Sequence, residues 1–397
     1  MAETPLIEVG IAIFSLALVG AAARRLGQSV IPAYIIAGIL VGPYVPTNVG
    51  SLSLQLVTPG EFLTVIAELG IVFLLFFLGL EFSIGTLVRN RVRLTKVGGL
   101  DILFNGLVGV GIGLLFGFGL VTTVLLTGVV YISSSAIITK ALTDTAWLAN
   151  PESEVILGTL IVEDLVIAVY LAVVSALVVG GGGTPAEIAL TVAQSFVFLG
   201  GLAALAHYGT GYFDRAFAVE SDELFLLRVV GTTVLIGGAA LSIGASEAVA
   251  AFFVGTAFHG TDLVGRIEAQ LSPLRDVFAA LFFLSIGVST DLRVVADVGV
   301  LIGVAVVATT VTKVVSGYLS GSVYELTKRR SLRVGIGLVP RGEFSLIIAA
   351  LAATSPIPEV RTVVPAFTVG YVLAMSIVGS VSIQYSDALA RTLGVSS

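Results

Sequence analysis

The chain has 397 residues, 56% hydrophobic and only 12% charged, with a mean hydropathy of +1.07; soluble globular proteins carry about 25% charged residues, so this is a polytopic membrane protein. The absence of cysteine excludes disulfides, thiolate metal centres and cysteine nucleophiles, and two histidines are too few for a histidine metal cluster. The net charge of -6 resides in the loops, and no nucleic-acid partner is expected.

The N-terminus carries Glu3 and neither a basic segment nor a small-residue cleavage site, so the first apolar run reads as a retained span. In chain order, about thirteen apolar stretches follow, at roughly 6–22, 30–46, 63–86, 97–118, 121–142, 154–179, 187–211, 223–242, 246–260, 277–291, 298–322, 333–354 and 363–388. Arg24 and Arg25, Arg89 to Lys96, Lys140, Arg215, Arg228, Arg266, Arg275, Lys328 to Arg333 and Arg391 all fall on one side of such a layout. Of the 20 basic residues, only Arg293 and Arg361 fall on the other side, and Lys313 and Arg341 lie within spans. This bias puts the N-terminus outside and the C-terminus in the cytoplasm of a multi-pass plasma-membrane protein.

Within the spans, Gly109, Gly111, Gly113 and Gly117 read as close helix packing and not as a nucleotide loop. Glu81 reads as a carboxylate snorkelling to water, Glu247 as a helix-start charge, and His259 as interfacial. Asp101 and Asn105, one turn apart in the fourth stretch, are secondary candidates for approaching a central cavity.

An internal repeat is visible. Leu75-Phe76-Phe77-Leu78 recurs as Leu281-Phe282-Phe283-Leu284, and the same offset carries Ser134, in the run Ser133-Ser134-Ser135, onto Pro340. Both are places where a helix is expected to break: a mid-helix proline deletes a backbone bond, and serine hydroxyls satisfy groups freed by an unwound turn. Seven spans separate the copies, which implies repeats of opposite topology at about 30–179 and 223–388, with two broken helices that cross.

The sixth stretch holds Glu163 and Asp164 about half way through an otherwise uncharged apolar run. At mid-membrane each acid costs roughly 2.5 to 3.5 kcal/mol unless something answers it, so the default reading is an ion or proton site. Lys313 sits at the middle of the eleventh stretch, and Arg341 and Glu343 flank Gly342 after Pro340. The competing explanation is a set of ion pairs that only fix helix register. The two acids are adjacent on one helix and point about 100° apart, which argues against an aspartyl-type intramembrane enzyme; no catalytic residue is expected.

Val162-Glu163-Asp164-Leu165, Lys313-Val314-Val315-Ser316-Gly317 and, above all, Gly337-Leu338-Val339-Pro340-Arg341-Gly342-Glu343-Phe344-Ser345-Leu346-Ile347 resemble the signature segments of NapA-type and Kef-type cation:proton antiporters. Tyr34 to Pro43 and Leu74 to Glu81 are similar to the family's second and third helices, so the resemblance runs through nearly the whole chain. It implies an all-α, NhaA-like inverted-repeat fold in a single transporter domain spanning 1–397. Core helices at about 63–179 and 277–388 would move in an elevator-like displacement against dimerisation helices at about 6–46 and 187–260 of a homodimer.

By the same resemblance Asp164 is the carrier of a proton or a monovalent cation, Na+ or K+, with no other cofactor. Glu163 takes the position of the preceding acid or amide, and Lys313 is its charge partner. Ser133, Ser134, Ser135, Pro340, Arg341 and Glu343 line the two breaks. The family commonly shows Asp-Asp, Asn-Asp or Gln-Asp at this pair, associated with electrogenic sodium exchange, electroneutral exchange and potassium efflux, and Glu163 matches none of these. Only six residues follow Arg391, so the cytoplasmic nucleotide-binding domain of Kef-type members is not expected, which leaves room for a separate regulatory subunit. The alternative is a gated monovalent cation channel or a potassium-efflux subunit under a separate regulatory protein.

Overall fold

The computed structural model describes residues 5–44, 56–81, 91–180 except 148, 215–242 and 246–392, with scattered positions in 48–53 and 193–204. The chain is helical because an apolar run in hydrocarbon has no water to bond its backbone, and a helix satisfies each N–H and C=O internally. The first half comprises α1 (Pro5–Arg25), α2 (Val30–Val41), α3 (Glu61–Glu81), α4 (Arg91–Leu115), α5 (Leu120–Tyr131), α6 (Ser135–Asp144) and α7 (Pro151–Gly180). The second comprises α8 (Asp222–Ser242), α9 (Glu247–His259), α10 (Val264–Val288), α11 (Leu292–Asp297), α12 (Gly299–Val323), α13 (Lys328–Gly337), α14 (Glu343–Ala353), α15 (Pro358–Gln384) and α16 (Ser386–Thr392). A two-residue antiparallel pairing, Asn48↔Ser53 and Val49↔Leu52, lies in the loop after α2.

Among the described residues nine helices are long and apolar enough to cross a membrane, counting the α5–α6 pair as one; α2, α9 and α14 are shorter and apolar. The expected stretches correspond to these helices and to the broken pairs, except the seventh, at 187–211, which lies largely outside the described residues. The tenth begins earlier than hydropathy indicates. α10 starts at Val264 and includes Arg266 and Arg275, whose guanidinium groups lie over the Phe225 and Phe77 rings at 4.2 and 4.5 Å. Cation–π contacts and the Arg266–Asp222 ion pair at 2.6 Å hold a polar first half in helix.

A repeat is carried by whole elements, at an offset of 208 and not the 206 that pairs Leu75 with Leu281 and Ser134 with Pro340, so Ser134 corresponds to Gly342. α4, α5, α6 and α7 begin 208, 208, 208 and 207 residues before α12, α13, α14 and α15. Packing repeats as well. A Cβ on Gly109 of α4 would meet Thr127 of α5 at 2.6 Å, and one on Gly317 of α12 would meet Gly335 of α13 at 2.5 Å, each position 208 residues from its counterpart. Gly113 against Thr123 recurs in the same way as Gly321 against Ser331. Small residues one turn apart thus bring both helix pairs to near backbone contact, where lipid offers no competing driving force. Gly111, by contrast, faces open space, and Gly117 ends α4 at φ +72°, so only two of the four glycines serve packing.

By contact the chain groups into two units. One contains Met1–Val57, Gly85–Ile167 and Ile286–Ser397; the other contains Thr58–Ile84 and Ala168–Ser285. The second has an aromatic core of Phe73, Phe76, Phe77, Phe225 and Phe258, and α3 meets α9 so closely that a Cβ on Gly79 or Gly255 would strike the facing backbone. In the first unit Ile138, Trp147, Ile156, Leu160, Leu332 and Ile336 pack α6, α7 and α13 together. Every candidate site residue lies in this first unit.

Candidate ion site beside two broken helices

α5 ends at Tyr131 and α6 begins at Ser135; α13 ends at Gly337 and α14 begins at Glu343. The breaks fall where Ser133 to Ser135 and Pro340 predict them, and they touch: the Ser134 amide donates to the Pro340 carbonyl at 2.9 Å. Each broken helix leaves unsatisfied carbonyls at one half's end and unsatisfied amides at the other's start. Arg341, fully buried, donates from Nε to the Val130 carbonyl of α5 at 3.1 Å. Its Nη1 donates to the Leu338 and Val339 carbonyls beyond α13 at 2.9 and 2.8 Å. Ser345 adds a hydroxyl bond to Val129 O at 2.8 Å.

Glu343 does the converse. It accepts from Ser134 Oγ at 2.5 Å, Ser135 Oγ at 3.0 Å and the Ala136 amide at 3.1 Å, so the carboxylate that opens α14 caps α6. A cation sits at two helix C-termini and an anion at two N-termini, the arrangement that the helix dipoles favour. No bond joins Arg341 to Glu343 among the described residues; Arg341 is answered by backbone carbonyls, and Glu343 by two serine hydroxyls and one amide.

The second cluster lies one layer away on α4, α7 and α12. Lys313 Nζ donates to both oxygens of Asp101 at 2.8 Å and to Glu163 Oε1 at 2.6 Å, with all three side chains at most 1% exposed. Asp101 Oδ1 also accepts from Asn105 Nδ2 at 2.9 Å and from Ser316 Oγ at 3.2 Å. Glu163 accepts from the Ser133 amide at 2.6 Å and from Ser133 Oγ at 3.0 Å, which ties the triad to the first break. Two acids share one base, so with all three ionised the triad carries a net negative charge. Asp164, next along α7, is only partly buried and adds a third carboxylate.

The structure therefore brings Ser133, Ser134, Ser135, Pro340, Arg341 and Glu343 to the breaks and pairs Lys313 with Glu163, while Asp164 adjoins the triad. Asp101 is the larger finding, since it holds Lys313 through two oxygens and was only a secondary candidate from sequence. Depth is the signal that finds it: Asp101 lies ten residues from the start of α4, and Lys313 ten from the end of α12, on the same basic side of the layout. Of the other readings, His259 bonds the Leu80 carbonyl through Nδ1 at 2.7 Å. Among the described residues no three His, Cys, Asp or Glu side chains are grouped as a metal centre.

Comparison with known proteins agrees with this geometry. Residues 11–385 match the sodium/hydrogen exchanger transmembrane family. The chain is 33% identical to the K(+)/H(+) antiporter subunit KhtU of Bacillus subtilis, over 97% of this chain and 94% of that one. It is 31% identical to the ammonium/H(+) antiporter subunit AmhT of Alkalihalophilus pseudofirmus, with the same coverage. The sodium proton antiporter MjNhaP1 of Methanocaldococcus jannaschii shares the fold, with a TM-score of 0.70 at 15% identity over 96% of each chain. Matched along almost its whole length, this chain belongs to the sodium/hydrogen exchanger family.

Proposed function

We propose that this chain is a secondary antiporter of the plasma membrane that exchanges a monovalent cation, Na+ or K+, for protons, with the Asp164 carboxylate holding each in turn. The observation that carries this reading is the surplus of buried acid beside the breaks: the fully buried carboxylates of Asp101 and Glu163 share the single ammonium of Lys313. Asp164, next to Glu163 on α7 and less buried than it, is the group for cargo that the family resemblance assigns. A proton or a monovalent cation neutralises it equally, whereas the bare carboxylate carries the full cost of the hydrocarbon. Only the occupied protein crosses between its two faces, and that restriction couples the two fluxes.

The N-terminus lies outside and the C-terminus in the cytoplasm. A core that contains the two broken helices travels in an elevator-like displacement within a homodimer; α3 and α9, which meet at near backbone contact, stay together in that movement. A second reading adds a partner: KhtU and AmhT are both named antiporter subunits, which favours a separate chain that regulates this one.

The test is pH-gradient dequenching in proteoliposomes under a clamped membrane potential, with Na+ and K+ added in turn. Asp164→Asn is expected to lower cation-dependent proton flux at least 100-fold while its thermal unfolding stays that of the parent. Flux retained by this variant overturns the assignment.

A further inference from the structure

Tyr131, the last residue of α5, is 6% exposed, and its hydroxyl has no hydrogen-bond partner among the described residues. A buried hydroxyl without a bond is costly, and a phenylalanine would avoid that cost. The ring is already accounted for, since its face lies 5.3 Å from Lys313 Nζ and steadies the ammonium. The oxygen is not.

The ammonium that the ring faces is bonded to Asp101 and Glu163, and Asp164, the proposed cargo group, follows Glu163 on α7. A monovalent cation stripped of water needs neutral oxygens besides the one carboxylate that cancels its charge, and a phenol oxygen at a helix break suits that need.

We propose that Tyr131 is a specificity-determining residue whose hydroxyl oxygen is a neutral ligand for the transported cation that Asp164 holds. The proposal rests on the Asp164 reading above. It concerns which cation is held and how tightly, and leaves the proton step alone, because the hydroxyl adds no charge.

Tyr131→Phe keeps the ring beside Lys313 and removes only the oxygen. In the proteoliposome assay it is expected to raise the KM for at least one of Na+, K+ and NH4+ fivefold or more. The rise is unequal, so the ratio of KM values between cations changes at least twofold, while the maximal rate stays within twofold and the thermal midpoint does not fall. KM values within twofold of the parent for all three ions overturn the proposal, as does a lowered midpoint with unchanged ratios, which is the mark of a packing role. Should Tyr131→Phe fail to accumulate, Tyr131→Trp keeps an aromatic face and offers an N–H that cannot ligate a cation. Its KM ratios must shift in the same direction, and unshifted ratios overturn the proposal. Asp164→Asn separates the two failures. If it exchanges like the parent, both readings fall; if it is silent while Tyr131→Phe keeps the parent's KM values, only the Tyr131 proposal falls.

Discussion

Two clusters of buried charge lie close together in one unit of this protein, and they are built on opposite principles. At the helix breaks, Arg341 and Glu343 each answer helix ends: the guanidinium takes carbonyls from the ends of α5 and α13, and the carboxylate takes the hydroxyls and amide at the start of α6. In the triad, charge answers charge, and the numbers do not match, since Asp101 and Glu163 share Lys313. The contrast shows that a buried ion in a membrane is not in itself a transport group. Where helix termini use up the charge it is architecture; where acid is left over, a mobile positive ion has something to neutralise.

Substitutions can break that distinction, and the largest effect is expected at the breaks. Arg341→Ala removes its bonds to the Val130, Val339 and Leu338 carbonyls, the last of which keeps Ser133 Oγ at 3.0 Å; a carbonyl left unbonded costs roughly 1 to 3 kcal/mol, and no proton can repair it. The expected result is poor accumulation and a loss of thermal stability that does not vary with pH, read by unfolding in detergent between pH 5 and 8. Lys313→Ala comes next. Removing one partner of a buried pair costs about 3 to 5 kcal/mol, but the two carboxylates it leaves behind can each be neutralised by a proton. Its stability deficit should therefore shrink as pH falls, and its flux should show altered voltage dependence. A deficit that is constant with pH would place Lys313 in the same class as Arg341.

The smallest effect concerns a surface latch and sharpens the comparison from outside. Asp387 of α16 accepts from Arg333 at 2.7 Å and Arg329 at 3.0 Å, and these bonds hold its carboxyl below the usual carboxylate range. A depressed pKa adds stability that is present above the unfolded value, near 3.9, and lost as pH falls through the folded one. With the side chain 51% exposed, solvent screens the pair to roughly 0.2 to 1 kcal/mol. Asp387→Asn should lower the thermal midpoint slightly at pH 7, a difference that shrinks as pH falls through the depressed folded pKa of Asp387, and flux should be unaffected.

Much of this arrangement was legible without coordinates. Pro340 and the serine run at 133 to 135 announce both breaks, because a missing amide and local hydroxyls act within a few residues of themselves. Glu163, Asp164 and Lys313 stand out because a charge in the middle of an apolar run is conspicuous. Asp101 was harder to weigh, since it lies nearer the basic end of its helix, where a carboxylate that reaches water looks the same in sequence as one buried against a lysine. Arg341 and Glu343 were legible as lining the second break, but not what each one bonds. Each turns to a helix end supplied by the other break.

The sequence by itself determined the membrane class and the position of the breaks, since both follow from hydropathy and backbone donors read locally along the chain. Only the tertiary structure decided that Asp101 and Glu163 share one lysine, that Arg341 bonds the ends of α5 and α13 while Glu343 bonds the start of α6, and that among the described residues the Tyr131 hydroxyl has no hydrogen-bond partner. Those facts depend on which side chains meet across helices more than a hundred residues apart, and hydropathy carries no record of the rotation that brings one helix face to another.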